Sequence, residues 1–207
     1  LRVESLQAQL PDDDPRRQSL EVVEKEIDRM ASLVTELLQF SRRSQPQIST
    51  VDVREEMEKT LELIHYHLRK YNIAVVKDFA SEVRTILADR QQLRQVFLNL
   101  FSNAADAMPQ GGTLTIRLRM AEITAQLVIE ISDSGSGIPP EILPKVMEPF
   151  FTTKPEGKGT GLGLPICRRI METHRGTLEI ESEVGKGTTV RLVFPVGGCG
   201  HNSKDLD

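Results

Sequence analysis

Hydrophobic residues recur at helical spacing through the first forty residues of the chain. Steps of three and four residues separate Leu20, Val23, Ile27, Met30, Val34 and Leu37. This spacing predicts a long helix that buries one narrow stripe against a partner helix. An earlier helical pattern, interrupted between Pro11 and Pro15, predicts a helical hairpin over residues 1–46. We expect two copies to pair as a four-helix bundle, although packing on the chain's own domain would cover the same stripe.

Helical and strand patterns are mixed over residues 51–195. Asp52 is the predicted N-cap of a helix from Val53 to about Lys70, and further helices are predicted over residues 90–108 and 162–172. Strands are predicted at residues 73–79, 85–88, 113–120, 126–132, 177–182 and 188–194. Because helices and strands do not alternate strictly, the predicted fold class is α+β, with helices on one face of a mixed sheet. A flexible tail is predicted over residues 197–207.

Composition and charge narrow the possible functions. The chain has 26 Lys plus Arg against 30 Asp plus Glu, a net charge of −4, which gives no electrostatic reason to bind nucleic acid. No stretch approaches the roughly 18 apolar residues of a membrane span, so no membrane contact is expected in these residues. Cys167 and Cys199 lie far apart without metal-ligand spacing, which favours a reducing cytoplasm. The chain opens on a helical pattern without an initiator Met, and we expect a fragment of a longer protein.

Two asparagines lie on the predicted helix over residues 90–108. Asn99 and Asn103 are four residues apart and therefore share one helix face. An amide oxygen is a suitable ligand for Mg²⁺, which keeps several waters and takes its other oxygens from phosphates. Two solvated or capping asparagines are the plain alternative, and this motif alone favours the alternative.

Glycine-rich motifs flank the later strands. The stretch Asp133 to Ile138, DSGSGI, offers a carboxylate that can accept from an exocyclic amine, and glycines that let a flat ring approach the backbone. The stretch GKGTGLGL, residues 157–164, opens a helix whose free N–H groups can bind phosphate. Between them, EPFFTTK ends at Lys154, and GKGTT at residues 185–189 leads into the last strand. Ordinary turns, or a core Phe pair beside a surface Lys, are the alternative explanations.

The order and spacing of these motifs resemble the boxes of the catalytic domain of two-component sensor histidine kinases. Five motifs occur in order within residues 51–195: NLFSNAADA, DSGSGI, PFFTTK, GKGTGLGL and GKGTT. Their sequences are most similar to those of the nitrogen-regulation subgroup. Residues 12–45 resemble the second helix of the family's dimerisation and phosphotransfer hairpin. The resemblance implies a Bergerat-type α/β sandwich that binds ATP and Mg²⁺ and acts as a protein-histidine kinase. It also implies a homodimer formed through the hairpin, and a response-regulator receiver domain as partner.

The resemblance implies roles for single positions. Asn103 would ligate Mg²⁺, Asp133 would read the adenine amine, and Asn99 and Lys154 would act in catalysis. The implied ATP-binding residues are Asn99, Asn103, Asp106, Asp133, Gly135, Gly137, Ile138, Phe150, Thr153, Lys154, Gly159, Thr160, Gly161, Leu162, Gly163 and Thr188. The related gyrase, Hsp90 and MutL ATPases carry a Glu where this chain has Asn99. Because an amide cannot act as a general base at neutral pH, phosphoryl transfer is favoured over hydrolysis.

Two features depart from the family pattern. Many histidine kinases have a Lys where this chain has Asp106, so Lys154 or a lid group would replace that phosphate contact. The phosphoacceptor His box is expected upstream of Leu1, and none of the four histidines fits the acceptor role: His65, His67, His174 and His201. We therefore expect nucleotide binding without self-phosphorylation, in the cytoplasm, with the full-length protein cytoplasmic or anchored in the inner membrane. A gyrase-like, Hsp90-like or MutL-like ATPase and a nucleotide-blind interaction module are the alternatives.

Overall fold

The computed structural model describes residues 10–11, 14–41, 45–121, 123–155 and 159–196. The helices among these residues are α1 (Pro15–Ser41), α2 (Val53–Lys70), α3 (Arg90–Ala107) and α4 (Gly163–Thr173), with a 3₁₀ turn at Leu143–Lys145. The strands are β1 (Ile48–Val51), β2 (Ile73–Phe79), β3 (Ile86–Asp89), β4 (Gly112–Ala121), β5 (Gln126–Asp133), β6 (Thr177–Glu183) and β7 (Gly187–Pro195). The helices and strands predicted over residues 51–195 are confirmed, with ends shifted by no more than one residue.

Five strands form the main sheet, in the order β2-β4-β5-β7-β6. Strands β2 and β4 are parallel, and the other neighbours are antiparallel, so the sheet is mixed as predicted. Along β4 and β5, buried and more exposed residues alternate, which is the pattern of a sheet packed on one face. Helix α3 packs between α2 and α4 and contacts β5 and β7. The predicted α+β sandwich is confirmed.

The core lies between α3 and the inner face of the sheet. Leu93, Val96, Phe97 and Phe101 of α3 have no exposed surface. They share one face of the helix because their spacing follows its period. The fully buried residues facing them from the central strands of the sheet are Leu114, Ile116, Leu118, Leu127, Ile129 and Leu192. Burying a side chain of this size contributes about 1.5–3 kcal/mol, so this layer fixes α3 on the sheet.

Aspartates cap the two helices that begin beside β1 and β3. The Asp52 carboxylate accepts hydrogen bonds from the backbone N–H groups of Arg54 and Glu55, at 2.9 and 3.2 Å, which confirms the predicted cap. Asp89 caps α3 in the same way, through Gln91 and Gln92, and was not predicted. Each such cap stabilises a helix by about 1 kcal/mol because it satisfies N–H groups that the helix leaves unpaired.

Strand β1 is absent from the sequence-based prediction, which placed no helix or strand between the hairpin at residues 1–46 and α2. Ile48–Val51 pairs antiparallel with β3, with Ile48 opposite Asp89. The Asp89 carboxylate also accepts from the backbone N–H of Gln47 at 2.8 Å. The chain between α1 and α2 is therefore tied to the start of α3.

Helix α1 matches the predicted second helix of the hairpin. The first predicted helix falls on residues 1–9 and the tail on residues 197–207, both outside the described residues, and the hairpin and its dimer stay predictions. The α1 side chains of Val23, Ile27, Met30, Val34 and Leu37 are 41–55% exposed. Within the described residues, no helix is long and apolar enough to cross a membrane.

Candidate functional site

A cavity of about 600 Å³ lies between α3, the end of β5 and the start of α4. Most of the predicted ATP-binding residues line it: Asn99, Asn103, Asp106, Asp133, Gly137, Ile138, Thr153, Lys154, Gly159, Thr160, Gly161, Gly163 and Thr188. Gly135, Phe150 and Leu162 are not part of the lining. Leu162 is fully buried, and Phe150 is 61% exposed with a left-handed backbone, φ 68°. Gly157, of the phosphate-binding motif, lies outside the described residues.

Asp133 sits at one end of the cavity, where β5 ends beside β7. Its Oδ1 accepts hydrogen bonds from the backbone N–H groups of Gly135 at 2.8 Å and Thr188 at 3.3 Å. Burial raises the pKa of Asp133 above the ordinary value of 3.8, and these two backbone hydrogen bonds oppose the rise. The two donors fix the carboxylate so that it can accept a hydrogen bond from a ligand amine.

Two glycines bring the loop after Asp133 against its neighbours. A Cβ at Gly135 would lie 2.5 Å from the carbonyl oxygen of Ala107, so only glycine allows the loop to touch the end of α3. Gly137 has φ +69°, and a Cβ there would lie 2.1 Å from the carbonyl oxygen of Glu183. Gly135 therefore shapes the site from behind, which explains why it does not line the cavity.

Ser182 on β6 is a site residue that the sequence did not reveal. Its Oγ accepts from the backbone N–H of Ile138 at 2.8 Å and donates to the Gly187 carbonyl at 3.0 Å. It also lies 2.9 Å from Oγ1 of Thr188. Ser182 thus joins the loop after β5 to the turn before β7. A single serine in the alternating pattern of a strand carries no sequence signal of such a role.

Much of the remaining cavity wall is apolar. Branched aliphatic side chains from strands, loops and α4 contribute to it: Ile131, Ile138, Ile142, Leu164, Ile180 and Val190. Of these, only Ile138 was predicted, because the others belong to the ordinary apolar alternation of strands and helices. A flat apolar ring with a polar edge would find both apolar contacts and the Asp133 carboxylate in this cavity.

The side of the cavity formed by α3 carries amide and carboxylate groups one turn apart. Asn99 Nδ2 donates to the carbonyl oxygen of Gly163 at 3.2 Å, which ties α3 to the first residue of α4. The next turn of α3 carries Asn103 and Asp106. Lys154 Nζ lies 3.1 Å from Asn103 Oδ1 and 2.6 Å from Asp106 Oδ2. Two predicted site residues on α3 therefore share contact with the ammonium of a third, Lys154, from a distant segment.

A divalent cation would need ligands from phosphate and water in addition to these two oxygens. The described residues hold no group of three or more His, Cys, Asp or Glu side chains suited to a metal. Asn103 Oδ1 and Asp106 Oδ2, however, already bind one cationic group together. Mg²⁺ needs few protein ligands when phosphates and water complete its shell, so these two oxygens suit metal that arrives with a polyphosphate.

Helix α4 begins at the cavity wall. Gly161, Gly163 and Leu164 line the cavity, and the N-cap position, Leu162, has no side-chain cap hydrogen bond. The N-terminus of a helix carries unpaired N–H groups and a partial positive charge, which together favour an anion. The cavity thus offers an acceptor for an amine at one end and an anion site at the other.

Comparison with known proteins supports this geometry. Residues 88–198 match the family described as "Histidine kinase-, DNA gyrase B-, and HSP90-like ATPase". The solved catalytic domain of histidine kinase ThkA is 31% identical, with a TM-score of 0.64, over 72% of this chain and 95% of that one. The chain belongs to this family, in its histidine-kinase branch.

Longer relatives extend the likeness to α1. Sporulation kinase C of Bacillus subtilis (strain 168) is 36% identical over 192 residues, 92% of this chain and 43% of that protein. A structure of ThkA in complex with the response regulator TrrA is 26% identical, with a TM-score of 0.74, over 94% of this chain and 55% of that one. The chain spans less than half the length of Sporulation kinase C. The nitrogen-regulation subgroup stays a prediction.

Proposed function

We propose that this chain is the ATP-binding kinase portion of a sensor histidine kinase. It binds Mg-ATP and donates the γ-phosphoryl group to a phosphoacceptor His, for relay to an Asp of a response regulator. The observation that carries the proposal is one cavity that joins Asp133, Asn103 and the N-terminus of α4. The complex of the relative ThkA with a response regulator supports the same kind of partner here.

The Asp133 end suits adenine. The aliphatic wall would cover the faces of the ring, and the oriented carboxylate would accept from the exocyclic amine. Guanine carries a carbonyl oxygen at the equivalent ring position, which cannot donate to a carboxylate. We therefore expect this end of the cavity to select ATP over GTP.

The other end suits phosphates. Asn103 and Asp106 would hold Mg²⁺, which, when bound, neutralises phosphate charge and orients the phosphoryl group. The ammonium of Lys154 and the N-terminus of α4 would contact the phosphate oxygens. Because phosphoryl transfer depends on position and charge neutralisation, such a site needs little acid–base chemistry.

Asn99 supports transfer rather than hydrolysis. Its amide nitrogen donates to Gly163, so the side chain positions the start of α4. An amide does not deprotonate water at neutral pH. Of the three histidines that the structure describes, none lines the cavity, and His174 is buried. We expect the chain to bind nucleotide without phosphorylating itself.

The exposed apolar stripe of α1 supports a homodimer. Five side chains at alternating steps of four and three residues remain half exposed: Val23, Ile27, Met30, Val34 and Leu37. This spacing is that of a coiled-coil seam, and a second copy would cover it. Pairing of two hairpins would give the four-helix bundle proposed for this part of the chain.

Calorimetric titration with Mg-ATP and Mg-GTP tests the proposal. We expect wild type to bind Mg-ATP and to discriminate against Mg-GTP, and Asp133→Asn to weaken Mg-ATP binding by about tenfold, the value of one good hydrogen bond. Asp78→Asn, on the outer face of the sheet, is the matched control and should bind like wild type. Equal affinity of wild type and Asp133→Asn would contradict the assignment of the adenine end.

Incubation with ATP labelled at the γ-phosphate tests the reaction class. We expect neither a stable label on the chain nor steady release of phosphate above background. Steady release would favour the gyrase-like ATPase alternative, and an acid-labile label on the chain would contradict our account of the histidines. No effect of Mg-ATP on the melting temperature would favour a nucleotide-blind module, because a bound ligand stabilises the native state.

A further inference from the structure

Lys154 binds the two oxygens on which the proposed Mg²⁺ ion depends. Its ammonium lies 2.6 Å from Asp106 Oδ2 and 3.1 Å from Asn103 Oδ1. We propose that Lys154 excludes free divalent cations: in the nucleotide-free protein its ammonium occupies Asn103 and Asp106, and a cation enters only with a polyphosphate that draws Lys154 away. This inference rests on the proposed function, since it takes these oxygens as the Mg²⁺ ligands.

The contact is built into the surrounding backbone. The Lys154 backbone N–H donates to Thr152 Oγ1 at 3.2 Å, which fixes the local turn from which the lysine side chain extends. Gly159 packs directly on the lysine stem, because a Cβ at Gly159 would lie 3.1 Å from both Cβ and Cδ of Lys154 and 2.5 Å from Thr152 Oγ1. A larger residue at position 159 would clash with Thr152 and press on the stem of Lys154. The lysine side chain is therefore held in place by its neighbours, with only 32% of its surface exposed.

The same two oxygens cannot hold both cations. Mg²⁺ binds oxygen ligands at about 2.0–2.1 Å in a strict octahedron, and an ammonium on the same two oxygens would compete with it for their negative charge. The Lys154 ammonium would also repel a divalent ion at that distance, and the single carboxylate of Asp106 cannot neutralise both. Free metal must therefore displace the lysine without any compensation for its charge.

A nucleotide supplies that compensation. The phosphates of ATP carry several negative charges and would attract the Lys154 ammonium from the α4 side of the cavity, where Gly161 and Gly163 lie. Asn103 and Asp106 are then free to bind the ion that accompanies the phosphates. Lys154 in this scheme is a positioning residue that makes metal binding depend on nucleotide binding.

Electron paramagnetic resonance of Mn²⁺ with the nucleotide-free protein tests this directly, because Mn²⁺ takes the same oxygen ligands as Mg²⁺. We expect wild type and Lys154→Arg to leave the signal of free Mn²⁺ unchanged, since both keep a cation at the site. Lys154→Met should bind Mn²⁺ at least about tenfold more tightly than wild type. The double variant with Asp106→Asn should lose this gain, which locates the ion at position 106.

Lys77→Met on β2 is the matched control, because it removes one positive charge away from the cavity and should behave like wild type. Tight Mn²⁺ binding by nucleotide-free wild type, or no gain in Lys154→Met with an unchanged melting temperature, would overturn the inference. Titration of the same proteins with Mg-ATP separates the two hypotheses. If Mg-ATP binds while Mn²⁺ alone behaves alike in all variants, the proposed function stands and the exclusion by Lys154 fails.

Discussion

At the scale of one residue, burial of the Asp133 carboxylate opposes the stability of the native state. The carboxylate is partly buried, and its ordering bonds come from the backbone N–H groups of Gly135 and Thr188. Burial is the largest influence on its pKa and raises it. A carboxylate with a raised pKa favours the native state below the unfolded-state pKa of about 3.8 and loses that contribution as pH rises through the native pKa.

Replacement of Asp133 by Asn should therefore raise stability at neutral pH while it weakens the proposed binding of Mg-ATP. The amide oxygen can accept from the same two N–H groups without the penalty of a buried charge. We expect Asp133→Asn to gain stability relative to wild type as pH rises from below 3.8 toward neutrality. Urea unfolding at several pH values measures the difference, and Asp78→Asn, with its pKa lowered chiefly by the Arg119 hydrogen bond, should show the opposite trend. A constant difference between wild type and Asp133→Asn across pH would contradict the burial argument.

Candidate site residues could be recognised in the sequence where a local motif contains them. Asp133 follows a strand directly and precedes alternating glycines, while Asn99 and Asn103 share a helix face, so their sequence context signals a site. Ser182 was missed because its three partners, at Ile138, Gly187 and Thr188, come together only when β6 pairs with β7. The contact between Lys154 and Asp106 spans 48 positions and was equally invisible.

At the scale of elements, the spacing of apolar residues predicted the helices and strands that pack on the core. Helices α2, α3 and α4 and strands β2 to β7 each turn apolar residues to one core, and their spacing shows it. Strand β1 has only four residues, of which Val51 alone is buried. Its pairing with β3 depends on residues 35 to 41 positions away, so no local pattern marks it as a strand.

A row of alternating charges crosses the outer face of the main sheet. Strand register places five residues side by side, one on each strand: Asp78, Arg117, Glu130, Arg191 and Glu179. Glu130 lies at the centre, with Arg191 Nη2 at 2.8 Å and Arg117 Nη1 at 3.7 Å. Opposite charges directly across strands are favourable, and a one-residue shift of register would move each charge to the apolar face of the sheet.

Glu130→Gln removes the central charge and keeps the shape of the side chain. We expect a loss of about 1 kcal/mol in the free energy of unfolding, at the upper end for exposed pairs, because only 22% of the Glu130 side chain is exposed. The loss should shrink at high salt, which screens the row. Glu55→Gln, which breaks the more exposed pair with Lys59, is the control and should change stability less. An effect of Glu130→Gln no larger than this control would show that the row contributes little.

His174 joins two elements at the side of the domain away from the cavity. The residue is 7% exposed, its Nε2 accepts from the Asp89 backbone N–H at 2.8 Å, and its Nδ1 lies 2.7 Å from the Ile170 carbonyl. Both ring nitrogens are used when Nδ1 carries the proton, which is the neutral form of the ring. The end of α4 is thereby tied to the residue that caps α3.

We expect His174→Phe to lower the free energy of unfolding by about 1–3 kcal/mol, because it leaves the buried Asp89 N–H without an acceptor. Denaturant unfolding measures the loss. His65→Phe, on the exposed side of α2, is the control and should stay within about 0.5 kcal/mol of wild type. Equal stability of the two variants would mean that water or a rearranged backbone replaces the histidine.

At the scale of the whole molecule, the cavity and the exposed stripe belong to different parts of the chain. Every residue that lines the cavity comes from residues 95–190, whereas the stripe lies on α1. The contact of Gln47 with Asp89 joins the segment after α1 to the N-terminus of α3, the helix that carries Asn99 and Asn103. Nucleotide binding should therefore need one chain, while assembly should depend on α1.

The double variant Val23→Glu with Val34→Glu separates these two properties. Both side chains lie in the seam and are about half exposed, and two buried glutamates would repel each other across a paired stripe. We expect wild type to sediment as a dimer and this variant as a monomer, with Mg-ATP affinity unchanged because the cavity is complete in one chain. Val22→Glu is the matched control, since Val22 is 59% exposed and lies outside the seam, and it should remain a dimer. A dimer in the double variant, or dissociation by Val22→Glu alone, would place the dimer contact elsewhere than on the α1 seam.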